Sequence, residues 1–380
     1  MIKASDDKKL TLVQKFGNLD WALFFTTVVL ALGGVACIYS ATWTSDRPEL
    51  RLTYEKQLMW MGVGVIACFI VSLIDYKHWL KAAWGLFATG VILLLLTLFL
   101  GHEIHGSKSW VGVGGFSVQP AEFCKLLAIL FLAWFIGKQQ GGEVKSFKTF
   151  AICCMVMGVN MVLILKQPDL GSAAVFIPVC FLMMFVGGVS KRWLTMGVLL
   201  GIVGAVLAFF FVLKDYQKLR LIVFLNPGHD VSGAGYHVNQ SKIAIGSGGL
   251  TGKGFMEGTQ NMLGFLPKNE SFSDFIFSVV GEEFGFAGGC ALVVVLSIVL
   301  MMGLNIALKA RDTQGSLIAV GIVALFFAHI FENIGMTIGL TPVTGIPLPF
   351  ISYGGTFLVA CFLGVGLLQS VNVHKRSHQT

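Results

Sequence analysis

Apolar residues run in long blocks over nearly the whole of this 380-residue chain, and short polar or charged stretches separate the blocks. A helix needs about 20 mainly apolar residues to cross the hydrocarbon core of a bilayer. Ten windows approach or meet that need: 20–42, 57–74, 79–100, 120–137, 149–166, 171–188, 193–213, 275–304, 314–340 and 353–372. The pattern predicts an all-α polytopic membrane protein of about ten transmembrane helices, organised as a single integral membrane domain over 1–380.

An even number of spans puts both termini on one side. The connections 75–78, 138–148, 189–192 and 305–313 carry Lys77, Lys138, Lys145, Lys148, Lys191, Arg192, Lys309 and Arg311, and both tails are basic. Cations accumulate in short cytoplasmic connections, so the tail 1–19 and these loops are expected in the cytoplasm. The other face receives 43–56, 101–119, 167–170, 214–274 and 341–352. Among these, 214–274 is a large extracytoplasmic loop between helices 7 and 8, and connections beyond about 12 to 15 residues are usually functional or disordered. Tyr216, Tyr236, Phe255 and Phe265 favour a folded loop on the membrane surface, with flexibility at its many glycines as the alternative.

Composition agrees with the block pattern. The chain is 55% hydrophobic and 12% charged, with a net charge of +7; a soluble domain carries roughly twice that charged fraction. These values exclude a disordered chain, a collagen-like chain and a single anchor with a large soluble head. All eight cysteines lie within or beside apolar stretches and read as small hydrophobes, not as a disulfide framework. The first apolar run is too long for a signal-peptide core and reads as a retained span.

Ionisable groups at membrane depth are costly, so each needs a reason. Glu122 and Lys125 stand near the start of the fourth span, Asp274, Glu282 and Glu283 on the eighth, and His329 and Glu332 on the ninth. The spacing of three puts Glu122 and Lys125 on one helical face, where they form either a self-neutralising pair or part of a site. Asp274, in SDFIFSVVGEEFG, reads either as a helix cap beside Ser271 and Ser273 or as a sheltered general base. Sequence position leaves both readings open.

Several motifs fail. Gly246–Gly254 (GSGGLTGKG) lacks the Ser or Thr and the glycine spacing of a phosphate loop, and HEIH at 102–105 lacks the spacing of a zinc protease. His229 and His237 are isolated loop histidines. Lys56, Lys108, Lys214, Lys218, Arg220, Lys242, Lys253 and Lys268 fall on the face that the positive-inside rule disfavours. A diphosphate or polyanion ligand there explains them, as does local balance by Asp215, Asp230, Glu257 and Glu270.

The motifs then converge. GSKSWVGVGGFSVQPAEFCK at 106–125, KQPDLG at 166–171, YQKLRLIVFLNPGHDVSGAGYHVNQSKIAIGSGG at 216–249 and the run from Asn333 to Thr356 resemble, in order, the signatures of the SEDS family (shape, elongation, division and sporulation). The stretch 240–260 resembles the elongation branch more than the division branch. The resemblance implies a peptidoglycan glycosyltransferase that polymerises lipid II on the outer face of the cytoplasmic membrane. It assigns Asp274 as the essential carboxylate. Trp110, Glu122, Lys125 and Arg220 match the family's GxxRW, QPSExxK and YQxxR motifs, and Lys108, Gln240 and Ser352 join them as substrate-binding candidates. Three departures stand out: Ser109 replaces the arginine before the tryptophan, with Lys108 as its possible substitute; Ala121 replaces a serine; and the stretch before Asp274 is about two residues longer.

In the reaction that the resemblance implies, an α-linked donor becomes a β-linked product, which fits one inverting displacement and one principal carboxylate. Asp274 then takes the proton of the acceptor hydroxyl, Arg220 and Lys125 contact the diphosphate, and Glu122 orients Lys125 or a bound cation. The sequence demands no cofactor, and a divalent cation, Mg²⁺ or Mn²⁺, is an option that the carboxylates leave open. The implied partner is a class B penicillin-binding protein, its single helix docking near the eighth and ninth spans. The alternative function is a lipid II flippase or ion-coupled transporter, with Glu122, Lys125, Glu282, Glu283 and Glu332 as a relay.

Overall fold

The computed structural model describes residues 11–375 apart from 46, 105–106, 114–115, 140, 212, 227–232 and 268–269. Helix α1 (Trp21–Trp43) starts behind Asp20, whose carboxylate accepts from the Leu23 N–H. Helices α2 (Thr53–Leu73) and α3 (Ala83–Leu100) follow. Helix α4 (Pro120–Lys138) opens on a proline, whose missing N–H costs nothing in a first turn. Next come α5 (Phe147–Lys166), capped by the Ser146 hydroxyl, α6 (Phe176–Val186) and α7 (Lys191–Phe211). The long loop folds into α8 (Asp215–Leu225) and α9 (Ala234–Ser247). Helices α10 (Ile276–Leu308), α11 (Thr313–Ile338) and α12 (Gly355–Val373) complete the chain.

Nine helical segments among the described residues are long and apolar enough to cross a membrane. The expected window 171–188 is the exception: it forms a short helix, Leu170–Ala174, followed by α6. Pro178 explains the break, because it offers no N–H to the Ala174 carbonyl and its ring crowds that oxygen. A second difference lies in 101–119, where three short antiparallel strands form: β1 (His102–Ile104), β2 (Ser107–Val113) and β3 (Phe116–Val118), in that order. Val111 pairs with Val118 and Val113 with Phe116, a hairpin register across the Gly114–Gly115 pair in the sequence.

Burial grades sharply across the bundle. Within span-length windows, 94% of α12 is buried, whereas for α7 the share is 6%. Helix α12 packs along α2 so closely that a Cβ on Gly366 would meet the Cys68 carbonyl at 2.8 Å. Buried amides fasten the helix ends. Gln369 exchanges bonds with the Asp20 backbone at 2.7 and 2.9 Å. Gln57 donates to the Ser352 carbonyl at 3.0 Å and accepts from the Gly354 N–H at 3.2 Å. Such pairs satisfy backbone groups that have no water to turn to.

Candidate active site

The turn before α10 presents Asp274. Ser271 and Glu270 N–H groups donate to the Pro267 carbonyl at 2.8 and 3.0 Å, and the Phe275 N–H donates to the Glu270 carbonyl at 3.0 Å. Phe272 and Phe275 are buried and anchor the turn on both sides, while Asp274 stays partly exposed. Phe275 occupies the N-cap position of α10 and no side chain caps the helix. The Asp274 carboxylate is therefore not spent on capping, which removes one of its two readings.

The surroundings of the carboxylate come from distant parts of the chain. Asn333 on α11 donates to the Asp274 carbonyl at 2.8 Å and to the Ile346 carbonyl at 2.7 Å, joining the turn to the loop 341–352. Ser352 accepts from the Leu348 N–H at 2.7 Å and donates to the Ser273 carbonyl at 2.5 Å, and the Tyr353 N–H reaches the Phe272 carbonyl at 2.9 Å. Gly345, at φ 71°, lies against the carboxylate, and a Cβ there would come within 3.2 Å of Asp274 Oδ2. Asn333→Ala leaves both carbonyls unpaired; at about 1–2 kcal/mol for each partly buried orphaned group, the expected loss is about 2–4 kcal/mol in thermal or denaturant unfolding. A Tm equal to that of the parent protein would rule out this bracing role.

Electrostatics set the carboxyl apart. Loss of hydration pushes Asp274 up to about 7, the Glu270 charge adds to the rise, and the Ser273 hydrogen bond and Arg220 oppose it. Arg220, on α8, donates from Nη1 to the Val343 carbonyl at 3.3 Å and so leans over the same loop.

A second group lies in the bundle. Lys125 and Glu122, at 2% and 3% exposure, pair at 2.8 Å within the first turns of α4. Lys125 Nζ also meets His329 Nε2 at 2.9 Å. The other ring nitrogen, Nδ1, lies 3.2 Å from the Pro347 carbonyl. A carbonyl can only accept, so Nδ1 carries the proton and Nε2 accepts from the lysine. Asp169 connects the groups: it accepts from Gln119 Nε2 at 3.1 Å and is an electrostatic neighbour of Asp274, Glu122 and Glu332.

The remaining candidates are arranged as follows. Trp110 is half-buried on β2, beside the buried Ser109. Lys108 lies on the same strand, and its side chain is outside the described residues, as are His229 and Lys268. Gln240 is partly exposed on α9, next to Ser241, which bonds Ser278 at 2.6 Å and the Thr337 carbonyl at 2.7 Å. Glu282 and Glu283 do not join the Glu122–Lys125 group; they bond Lys253, Thr259, Gln260 and Ser40 instead. Among the described residues no three His, Cys, Asp or Glu side chains gather to hold a metal ion. Asp169, Glu270 and the lysine contact of His329 are the members that the residue patterns did not single out as site components.

A bundle of apolar helices with a partly exposed carboxylate where α10 begins and a buried Lys–Glu–His group between α4 and α11 defines a multi-pass membrane protein. The family model described as "Cell cycle protein", covering FtsW, RodA and SpoVE, matches residues 20–377, and the chain belongs to this family, the SEDS proteins. It is 33% identical to the peptidoglycan glycosyltransferase RodA of Treponema pallidum, over 96% of this chain and 99% of that protein. It is 37% identical to the stage V sporulation protein E of Bacillus subtilis, over 94% of this chain and 98% of the relative. A solved structure described as structural coordination of polymerization and crosslinking by a peptidoglycan synthase complex contains a similar chain, with a TM-score of 0.79 and 26% identity over 95% and 99% of the two chains.

Proposed function

We propose that this protein is the peptidoglycan glycosyltransferase of cell elongation, polymerising lipid II at the outer membrane face with release of undecaprenyl diphosphate. The observation that carries the reading is Asp274: a carboxylate left uncapped at a helix entrance, under Arg220, in a chain whose relatives are named peptidoglycan glycosyltransferase. Joining an acceptor hydroxyl to an anomeric carbon needs a base for the proton and positive charge for the departing diphosphate. Asp274 takes the proton while the new glycosidic bond forms and the bond to the diphosphate breaks. Arg220 and Lys125 offset the charge that develops on the leaving group, with Trp110, Lys108, Gln240 and Ser352 framing the sugars or their loops. A divalent cation, Mg²⁺ or Mn²⁺, would add positive charge at the diphosphate beside these side chains.

The elongation role rests on the likeness of 240–260 to that branch, against a sporulation relative of comparable identity. Both termini are cytoplasmic in this reading, and 214–274 is extracytoplasmic. A class B penicillin-binding protein is the proposed partner, its membrane helix seated on the apolar faces of α10 and α11, where Val294, Met301, Phe327 and Phe331 are exposed. The deciding experiment reconstitutes the protein with such a partner and purified lipid II, and follows both glycan chain formation and lipid II movement across the bilayer. Polymer supports the reading; movement of lipid II without polymer replaces it with a transporter.

A base acts only when unprotonated. Initial polymerisation rates are therefore expected to rise with pH through about 7, the value to which burial lifts Asp274, and then to level off. A rate constant from pH 5.5 to 9 would exclude Asp274 as the base.

A further inference from the structure

The glycine-rich stretch that fails as a phosphate loop turns out to complete a broken helix. Helix α10 is interrupted at Gly285, whose φ of 65° and ψ of −164° lie in a region that only glycine enters without strain. Residues 249–254 supply bonds that a continuous helix would make there. The Phe286 and Ala287 N–H groups donate to the Gly249 and Leu250 carbonyls at 2.9 and 3.0 Å. In return, the Lys253 and Gly254 N–H groups donate to the Glu282 and Glu283 carbonyls, both at 3.0 Å. This approach needs bare backbone, because a Cβ on Gly248 or Gly252 would overlap the carbonyl of Gly281 or of Glu283.

Side chains tighten the junction. Glu282 is fully buried, and its Oε1 accepts from Lys253 Nζ at 2.7 Å, the Gln260 N–H at 2.8 Å and the Thr259 hydroxyl at 3.3 Å. One carboxylate thus gathers both ends of 253–260. Glu283 accepts from the Ser40 hydroxyl on α1, and Asn261 donates to the Ala41 carbonyl at 3.0 Å. The segment 276–284 between this junction and Asp274 is helical, with Ile276, Val279 and Val280 buried. A helix broken at Gly285 has no backbone ladder to hold its outer segment at a fixed angle. The junction provides that hold, and a displacement of about 1 Å at a reacting group costs roughly 10²-fold in rate.

Resting on the polymerase reading above, we infer that the loop 248–261 and Glu282 form a clamp that fixes the tilt of the outer segment of α10, making Glu282 a positioning residue for Asp274 and Lys253 the residue that holds it.

The test uses the full-length protein, co-reconstituted with the class B penicillin-binding protein of the same organism, and purified lipid II. Its arms are the parent protein, Glu282→Gln, Lys253→Met, the double variant, Lys253→Arg and Asp274→Asn. Removing one member of a buried pair destabilises more than removing both, so the double variant regains thermal stability lost by the single ones. A clamp that positions Asp274 leaves that stable double variant with kcat lowered by about tenfold or more and a KM for lipid II within about twofold of the parent. Lys253→Arg keeps the pairing and is expected to retain the parent rate. Recovery of kcat together with Tm in the double variant would mean that the pair serves folding alone, and would overturn the inference. Failure of the polymerase reading appears separately, as no polymer from the parent protein, and undiminished polymer from Asp274→Asn would remove Asp274 as the base and with it the role of the clamp.

Discussion

Asp274→Asn is expected to lower the rate of lipid II polymerisation by about 10²–10⁴-fold, the usual contribution of a positioned general base. The substitution keeps the side-chain shape and an oxygen that can accept the Ser273 bond, so the turn built on Phe272, Phe275 and Asn333 is expected to persist. Stability moves in the opposite direction. The folded carboxyl, lifted from 3.8 to about 7, favours the protonated form, so the stability it contributes is fully present below about pH 4 and is lost as pH rises through about 7. At pH 8 the wild type carries the cost of a poorly hydrated carboxylate. The neutral amide does not, and after allowance for partial exposure the variant gains on the order of 2 kcal/mol. Initial rates and melting curves on the same preparation measure both effects. An inactive variant that is also less stable at pH 8 points to a damaged fold; an active one removes Asp274 from the chemistry.

Lys125→Met has the largest expected effect on stability. Glu122 is then left in the bundle at 3% exposure without its cation, and His329 Nε2 without its donor. Breaking such a buried pair costs about 3–5 kcal/mol, whereas Glu122→Gln with Lys125→Met removes both charges and recovers most of the loss. The double variant then isolates the part played by Lys125 in the reaction. With folding restored, polymerisation stays low if the ammonium meets the diphosphate. Melting in a fixed detergent and initial rates distinguish the outcomes, and a double variant as active as the parent confines Lys125 to the architecture.

Hydropathy made most of the bundle legible, because a span has to be apolar along its whole length whatever it packs against. Local spacing was equally direct for Glu122 and Lys125, which pair across one turn of α4 as the interval of three requires. Spacing carried nothing about His329, 204 residues from Lys125, and its partner emerges only when α11 folds against α4. Asp169 was visible within KQPDLG but had no periodic signal. The hairpin β2–β3 is faint in the sequence because three-residue and seven-residue strands barely register against the long apolar blocks, and its one signal is the alternation Val111, Val113, Phe116, Val118 around a glycine pair. The glycines of 246–254 were legible as glycines. Their purpose depended on Gly285, a residue inside an apolar window whose break no hydropathy average registers.

Helix α7 is the part of the chain that owes least to its neighbours, since Leu194 is its one buried side chain. Its sequence is then constrained by oil solubility and length, not by shape, and its apolar residues can exchange places at little cost to the fold. Length, however, is matched to hydrocarbon thickness. Because α8 follows α7 after three residues, the depth at which Arg220 meets the Val343 carbonyl is expected to depend on how α7 spans the bilayer. A change in lipid thickness is then expected to be felt at the loop 341–352.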